Sequence, residues 1–220
     1  MFDSSTWLML GEGLIDTLYM TLFSTALAYL LGLPMGLLLV ITEKDSICPL
    51  PTFNKVLSVI INLMRSIPFL IFLVWVMPIT RAIVGTTIGS TATVVPLVLA
   101  AAPFIARMVE SSIKEVDHGV IEAAQSMGAT RAQIVWKVLL PEAMPSLIVG
   151  ATISVTTILG YSAMAGFVGG GGLGDIAIRF GYYRYDDQIM LITVIILVLV
   201  VQVLQEIGMR IANSSDRRKH

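Results

Sequence analysis

The residues able to do chemistry are few and scattered. Ser162, in "GYSAMAG", has the side chain of a nucleophile, but a serine nucleophile needs a base within hydrogen-bond reach, and His118 and His220 both lie outside the apolar runs. The two histidines are also far apart and lack the neighbouring Cys, His or carboxylate spacing of a metal site. The run "GGGGLG" places Gly169, Gly171 and Gly174 in G-x-G-x-x-G spacing. A nucleotide loop of that kind follows a strand and is joined by a Lys-Ser/Thr pair; this one follows an apolar run and has no such pair, so it reads as a flexible or close-packed loop. The single cysteine, Cys48, has no internal partner and reads as a small apolar filler. Arg65 is the one charge well inside an apolar run, unless the residues before it form an interfacial helix that leaves it at the cytoplasmic edge; it either lines an inward cavity or bonds backbone carbonyls freed near Pro68. With Tyr161, Ser162 and Met164 it is a candidate for a transport pathway, helix packing being the alternative for those three. Neither catalysis nor a bound cofactor or metal is expected in this chain.

The elements that would carry these residues are membrane helices. Of the 220 residues 56% are hydrophobic and 13% charged, against about 25% charged in a soluble domain. Five runs come near the roughly 20 apolar residues that cross a bilayer: residues 17–42, 56–80, 82–106, 143–166 and 188–205. Runs this long do not alternate as barrel strands do, and helices satisfy their own backbone in hydrocarbon. The expectation is an all-α polytopic membrane protein with about five transmembrane helices, one domain over residues 1–220. Gly32 and Gly36 form a GxxxG pair in the first span, and Gly150, Ser154 and Gly160 are small enough for close helix approach in the fourth.

Lysine and arginine set the orientation. Arg81, Arg179 and Arg184 flank one side of these spans. Lys44, Lys55, Arg107, Lys114, Arg131, Lys137, Arg210, Arg217, Arg218 and Lys219 flank the other. The richer side is cytoplasmic, which puts the N-terminus outside and the C-terminus inside. No basic region precedes the first run, so a cleavable signal peptide is not expected.

The longest loop on the basic side, residues 117–141, is patterned as two short helices. Asp117 is an N-cap, Val120, Ile121, Ala124 and Met127 follow at helical spacing, and Gly128 suits a left-handed stop. Thr130 and Gln133 make a capping-box pattern before Ile134, Val135 and Val138, and Pro141 is expected to end the second helix. A DNA-reading helix-turn-helix has similar spacing, but Glu115, Asp117, Glu122 and Glu142 outnumber Arg131 and Lys137 here, whereas nucleic acid demands surplus cations. The small Ala123 and Ala124 suit close approach by another protein better than they suit a plain connector.

Glu122, Ala123 and Ala124, then Gly128, then Val138, Leu140 and Pro141 resemble the EAA signature of permease subunits of bacterial ABC importers, with Val138 at a position that usually holds isoleucine. The segments "MRSIPFLIFLVWVMPITR", "AAPFIARMVE" and "GYSAMAGFVGGGGLGD" resemble permeases of methionine importers, and the likeness spans nearly the whole chain. The resemblance implies an inner-membrane protein in which two copies form the path. A separate ATP-binding subunit, holding ATP and magnesium, would dock on the loop through Glu122, Ala123, Ala124 and Gly128. An extracytoplasmic binding protein would deliver the substrate, and ATP-driven closure would switch the side to which the path opens. At these positions Glu122 caps the helix start or pairs with a cation, and Gly128 releases the chain into its turn. The alternatives are a permease for another small amino acid, or a secondary transporter or channel without an ATPase. The latter calls for internal repeats and mid-membrane ionisable groups that the sequence does not offer.

Overall fold

The computed structural model describes residues 3–215, and its regular structure is helical. The helices are α1 (Ser4–Ile41), α2 (Pro51–Ser66), α3 (Phe69–Val84), α4 (Ser90–Lys114), α5 (His118–Ser126), α6 (Arg131–Ile134), α7 (Leu140–Met164), α8 (Gly172–Ile176) and α9 (Asp187–Ser215). A π-helical turn, Val135–Leu139, joins α6 to α7; a 3-10 turn, Ala165–Val168, follows α7, and a second π turn, Ala177–Tyr182, follows α8. Arg217, Arg218, Lys219 and His220 lie outside the described residues.

Among the described residues, four helical stretches are long and apolar enough to cross a membrane: Ser4–Ile41, Ser90–Lys114, Arg131–Tyr182 and Asp187–Ser215. A fifth crossing is present if α2 and α3 are taken together. That pair divides the run expected over residues 56–80 into two helices joined at a break. Pro68 has no N–H to continue the ladder and pushes the residue before it out of the helical region, so α2 stops at Ser66 and the chain bends by 107° into α3. The third span begins at Ser90, not residue 82, because α3 runs on to Val84 and Gly85 and Gly89 then take left-handed conformations. The first span starts well before residue 17, at Ser4.

Pro141 does not end the second short helix. The N–H of Leu140 reaches back to the carbonyl of Val135, and this wide turn carries the chain through Pro141 into α7. A π turn widens the stretch where a proline ring would otherwise meet the preceding turn.

The chain divides into two compact units, and α1, α4, α7 and α9 give residues to both. The first comprises Met1–Ala28, Ile67–Ala101 and Ser154–Gln205. Leu10, Leu173, Ile176 and Ile189 form a buried cluster in it, with Phe180 and Ile192 packed alongside. The glycine run is close-packed here. A Cβ on Gly174 would collide with the backbone of Ala163, and one on Gly166 with the backbone of Gly174. The Thr17 hydroxyl accepts the Leu173 N–H at 2.8 Å, and the Thr93 hydroxyl donates to the Gly170 carbonyl at 3.1 Å.

The second unit comprises Tyr29–Ser66, Ala102–Ile153 and Glu206–His220. Leu39, Ile61 and Ala106 are buried at its centre, with Met35 and Leu57 against them. The GxxxG pair is the seam between α1 and α4: a Cβ on Gly32 would stand 2.8 Å from the Ala102 carbonyl, and one on Gly36 would press on Ala106 and Val109. Close backbone approach of this kind is what small residues supply where no hydrophobic force drives helices together. On α9, Leu191, Val194, Val198 and Val203 are exposed, an outer face suited to hydrocarbon.

Candidate coupling and pathway sites

The segment from Asp117 to Gln133 is built by its caps. The Asp117 carboxylate accepts the Gly119 N–H at 2.7 Å and starts α5. The helix closes at Met127, and Gly128 takes φ +79°, the left-handed region open to glycine. Thr130 then caps α6 in a complete capping box: its hydroxyl accepts the Gln133 N–H while the Gln133 side chain accepts the Thr130 N–H at 2.8 Å. Both N-caps sit where the sequence places them, because such caps depend on local chain geometry alone.

The faces of α5 divide differently from the sequence pattern. Ala124 is buried and Ile121 half-buried, while Val120, Ala123 and Met127 are exposed at i, i+3 and i+7, Met127 at 82%. The stripe over Val120, Ile121, Ala124 and Met127 thus splits into an inner pair and an outward apolar row. Of the two alanines, Ala123 alone is open to another protein. The space around Gly128 is open as well, with no atom within 4 Å of where a Cβ would stand. Glu122 does not cap the helix, since Asp117 already does. It is exposed and pairs with His118 at 3.2 Å. On its inner side α5 lines a cavity of about 400 Å³ through His118, Ile121 and Gln125, opposite Glu43, Lys44 and Leu139. Arg131 donates to the Cys48 sulfur at 3.5 Å, tying the loop after α1 to α6; Cys48 is therefore an acceptor as well as a filler.

The four pathway candidates are not brought together as one group. Arg65 lies in the last turn of α2, exposed, where a cation meets the negative end of the helix dipole. Among the described residues no carbonyl near Pro68 bonds it, which overturns that half of the sequence reading. Tyr161 stacks on Phe69 at 4.4 Å between ring centroids and 5° between planes, a partner invisible in the sequence because the two rings belong to α7 and α3. Ser162 is 1% exposed and donates to the Leu159 carbonyl at 2.8 Å, so its hydroxyl is spent on its own helix. Met164 is 45% exposed, with Phe167 beside it at 53%. Of the three candidates on α7, the structure leaves the Met164 thioether exposed, stacks the Tyr161 ring on Phe69 and buries Ser162. Among the described residues no three His, Cys, Asp or Glu side chains gather as metal ligands would.

Long apolar helices with two short capped helices between α4 and α7 make a polytopic membrane protein. Residues 32–219 match the binding-protein-dependent transport system inner membrane component family, and the chain belongs to it. A probable D-methionine transport system permease protein from Vibrio cholerae is 47% identical over 217 residues, 96% of each chain. The D-methionine transport system permease protein of Escherichia coli is 50% identical over 166 residues, 76% of each chain. A chain from a crystal structure of an inward-facing MetNI methionine ABC transporter is 46% identical and superposes with a TM-score of 0.97, covering 98% of this chain and all of the other. A chain of an amino acid ABC transporter, at 22% identity and a TM-score of 0.73, shares the fold.

Proposed function

We propose that this chain is the membrane-spanning permease of an ATP-driven methionine importer. It works as a pair of copies with a separate ATP-binding subunit on the cytoplasmic side and a substrate-binding protein outside. The observation that carries the reading is the outward face of α5: Val120, Ala123 and Met127 form an exposed apolar row ending at the open turn of Gly128. A folded domain leaves such a row bare where a partner covers it. The substrate assignment rests on the relatives named as D-methionine permeases, three of them matched over 96% of the chain.

In this arrangement ATP and magnesium sit on the partner, and the chain itself carries no catalytic residue. Glu122, Ala123 and Gly128 meet the ATP-binding subunit, while Ala124 holds α5 onto its own unit. The N-terminus is outside and the C-terminus cytoplasmic, as the excess of basic residues on one side of the spans requires. Met164 and the Tyr161 ring are the pathway candidates we retain, with Arg65 at the cytoplasmic end of the path. Closure of the ATP-binding subunits moves α5, and the membrane helices exchange one open side for the other. A methionine zwitterion has no net charge and an apolar side chain, which suits a path with few charged residues.

Gentle solubilisation of a tagged chain tests this directly. An ATP-binding subunit is expected to co-purify, and the reconstituted complex is expected to accumulate methionine when ATP is supplied. Uptake of methionine by the purified permease without any ATPase would sink the reading in favour of a secondary transporter.

A further inference from the structure

Arg107 is far more tightly held than a residue that merely marks the cytoplasmic side needs to be. It sits near the end of α4 with its side chain 20% exposed, beside Glu110 at 15%. One terminal nitrogen donates to Glu110 at 2.6 Å. The other turns its two hydrogens to three acceptors on α2: the Ser58 hydroxyl at 2.6 Å, the Ser58 carbonyl at 3.1 Å and the Asn62 side-chain oxygen at 2.9 Å. From Glu110 the charges continue along α4, since Lys114 pairs with Glu110 at 3.1 Å and with Glu43 in the loop after α1, also at 3.1 Å. Two residues beyond Lys114, the buried Val116 leads directly to Asp117, the cap of α5.

Two features set this arrangement apart from a surface ion pair. The fork of a guanidinium lets one residue grip two helices at once, where an ammonium would serve as a single point. In addition, the Nε–H of Arg107 is buried and has no acceptor. Native structures rarely leave such a donor open, so its burial here marks Arg107 as more than a solvated surface cation.

We infer that Arg107 is a positioning residue that locks α2 to α4, so that displacement of α5 is delivered to α2 and to the Pro68 break that α2 leads into. The inference rests on the proposed coupling of this chain to an ATPase. The hydrogen bonds of Arg107 go to neither the α5 docking row nor the pathway candidates; its role is to make α2, α4 and the root of α5 move as one piece.

The test uses the complete complex in proteoliposomes and reads methionine accumulated per ATP hydrolysed. Arg107→Ala is expected to leave the ATP-binding subunit bound and hydrolysis running while the ratio falls about tenfold, within the range of coupling changes produced by residues that touch neither ligand. Arg107→Lys keeps a charge for Glu110 but loses the fork, and is expected to stay uncoupled. Ser58→Ala combined with Asn62→Ala removes side-chain acceptors on α2 with Arg107 intact and gives a smaller fall in the same direction; it also serves if Arg107→Ala fails to fold. Full rescue by Arg107→Lys, equal losses of hydrolysis and uptake, or an unchanged ratio in the double variant would each overturn the latch. A wild-type complex that does not couple hydrolysis to uptake would sink the transport reading and the latch with it, whereas a coupled wild type with an unaltered Arg107→Ala ratio overturns the latch alone.

Discussion

Gly128 and Gly174 look alike in the sequence, each punctuating an apolar stretch, yet they do opposite work. Gly128 has φ +79° and nothing near it; it is glycine for the backbone angle, and its surroundings are left open. Gly174 is helical, and its missing side chain is the space occupied by the Ala163 backbone. One glycine makes a turn that a partner can reach, and the other closes a packed loop that nothing enters. The same division runs through their neighbours: α5 keeps an apolar row outside, while the glycine run is held inside by Thr17 and Thr93. A glycine motif therefore has no single meaning, and what stands within a few ångströms decides it.

Substitution separates the two most sharply at Gly174. Gly174→Ala is expected to destabilise the purified permease by about 3 kcal/mol, because the obstacle is backbone and cannot rotate away. The thermal unfolding midpoint in detergent reads it, and a midpoint within a degree of wild type would show that the loop yields. Next in size is the contrast between adjacent alanines. Ala124→Leu overfills a buried position and costs about 2 kcal/mol, whereas Ala123→Leu leaves the unfolding midpoint in place and instead removes the ATP-binding subunit from the purified complex. If the two variants behave alike, the division of α5 into two faces is wrong.

Gly128→Ala forces a side chain into the left-handed region at about 1 to 2 kcal/mol, but locally, in open space. Its expected signature is weakened association with the ATP-binding subunit together with a fall in the unfolding midpoint smaller than that of Gly174→Ala. Thr130→Ala dismantles the capping box and costs about 1 kcal/mol, seen as faster amide exchange in the first turn of α6. Protection equal to wild type there would mean that the π turn alone holds this helix.

How much of this was legible beforehand follows from the range of each interaction. The helical class, the approximate placement of the spans, the two N-caps and the left-handed Gly128 could all be read in the sequence. Each depends on hydrophobicity over a window or on residues within four positions. The break at Pro68 was half legible: proline announced trouble, but a sharp bend and a local distortion leave the same letters. Pro141 misled in the other direction, because the π turn that accommodates it has no sequence signature. The pathway candidates were the least legible. The sequence offers the Ser162 hydroxyl, and only the fold shows that hydroxyl turned back onto the Leu159 carbonyl.

Chemistry that acts along the chain was therefore determined by the sequence itself: apolar length, charge bias, caps and turns are summed over neighbours and need no partner. Tertiary structure alone decided the face on which each residue would act. It turned Ala123 outward and Ala124 inward, stacked Tyr161 on Phe69, filled the space beside Gly174 with backbone and joined Arg107 to Ser58 and Asn62. The reason is geometric. A helix offers its whole circumference to its surroundings, and periodicity tells which residues share a side but not which side another helix will cover.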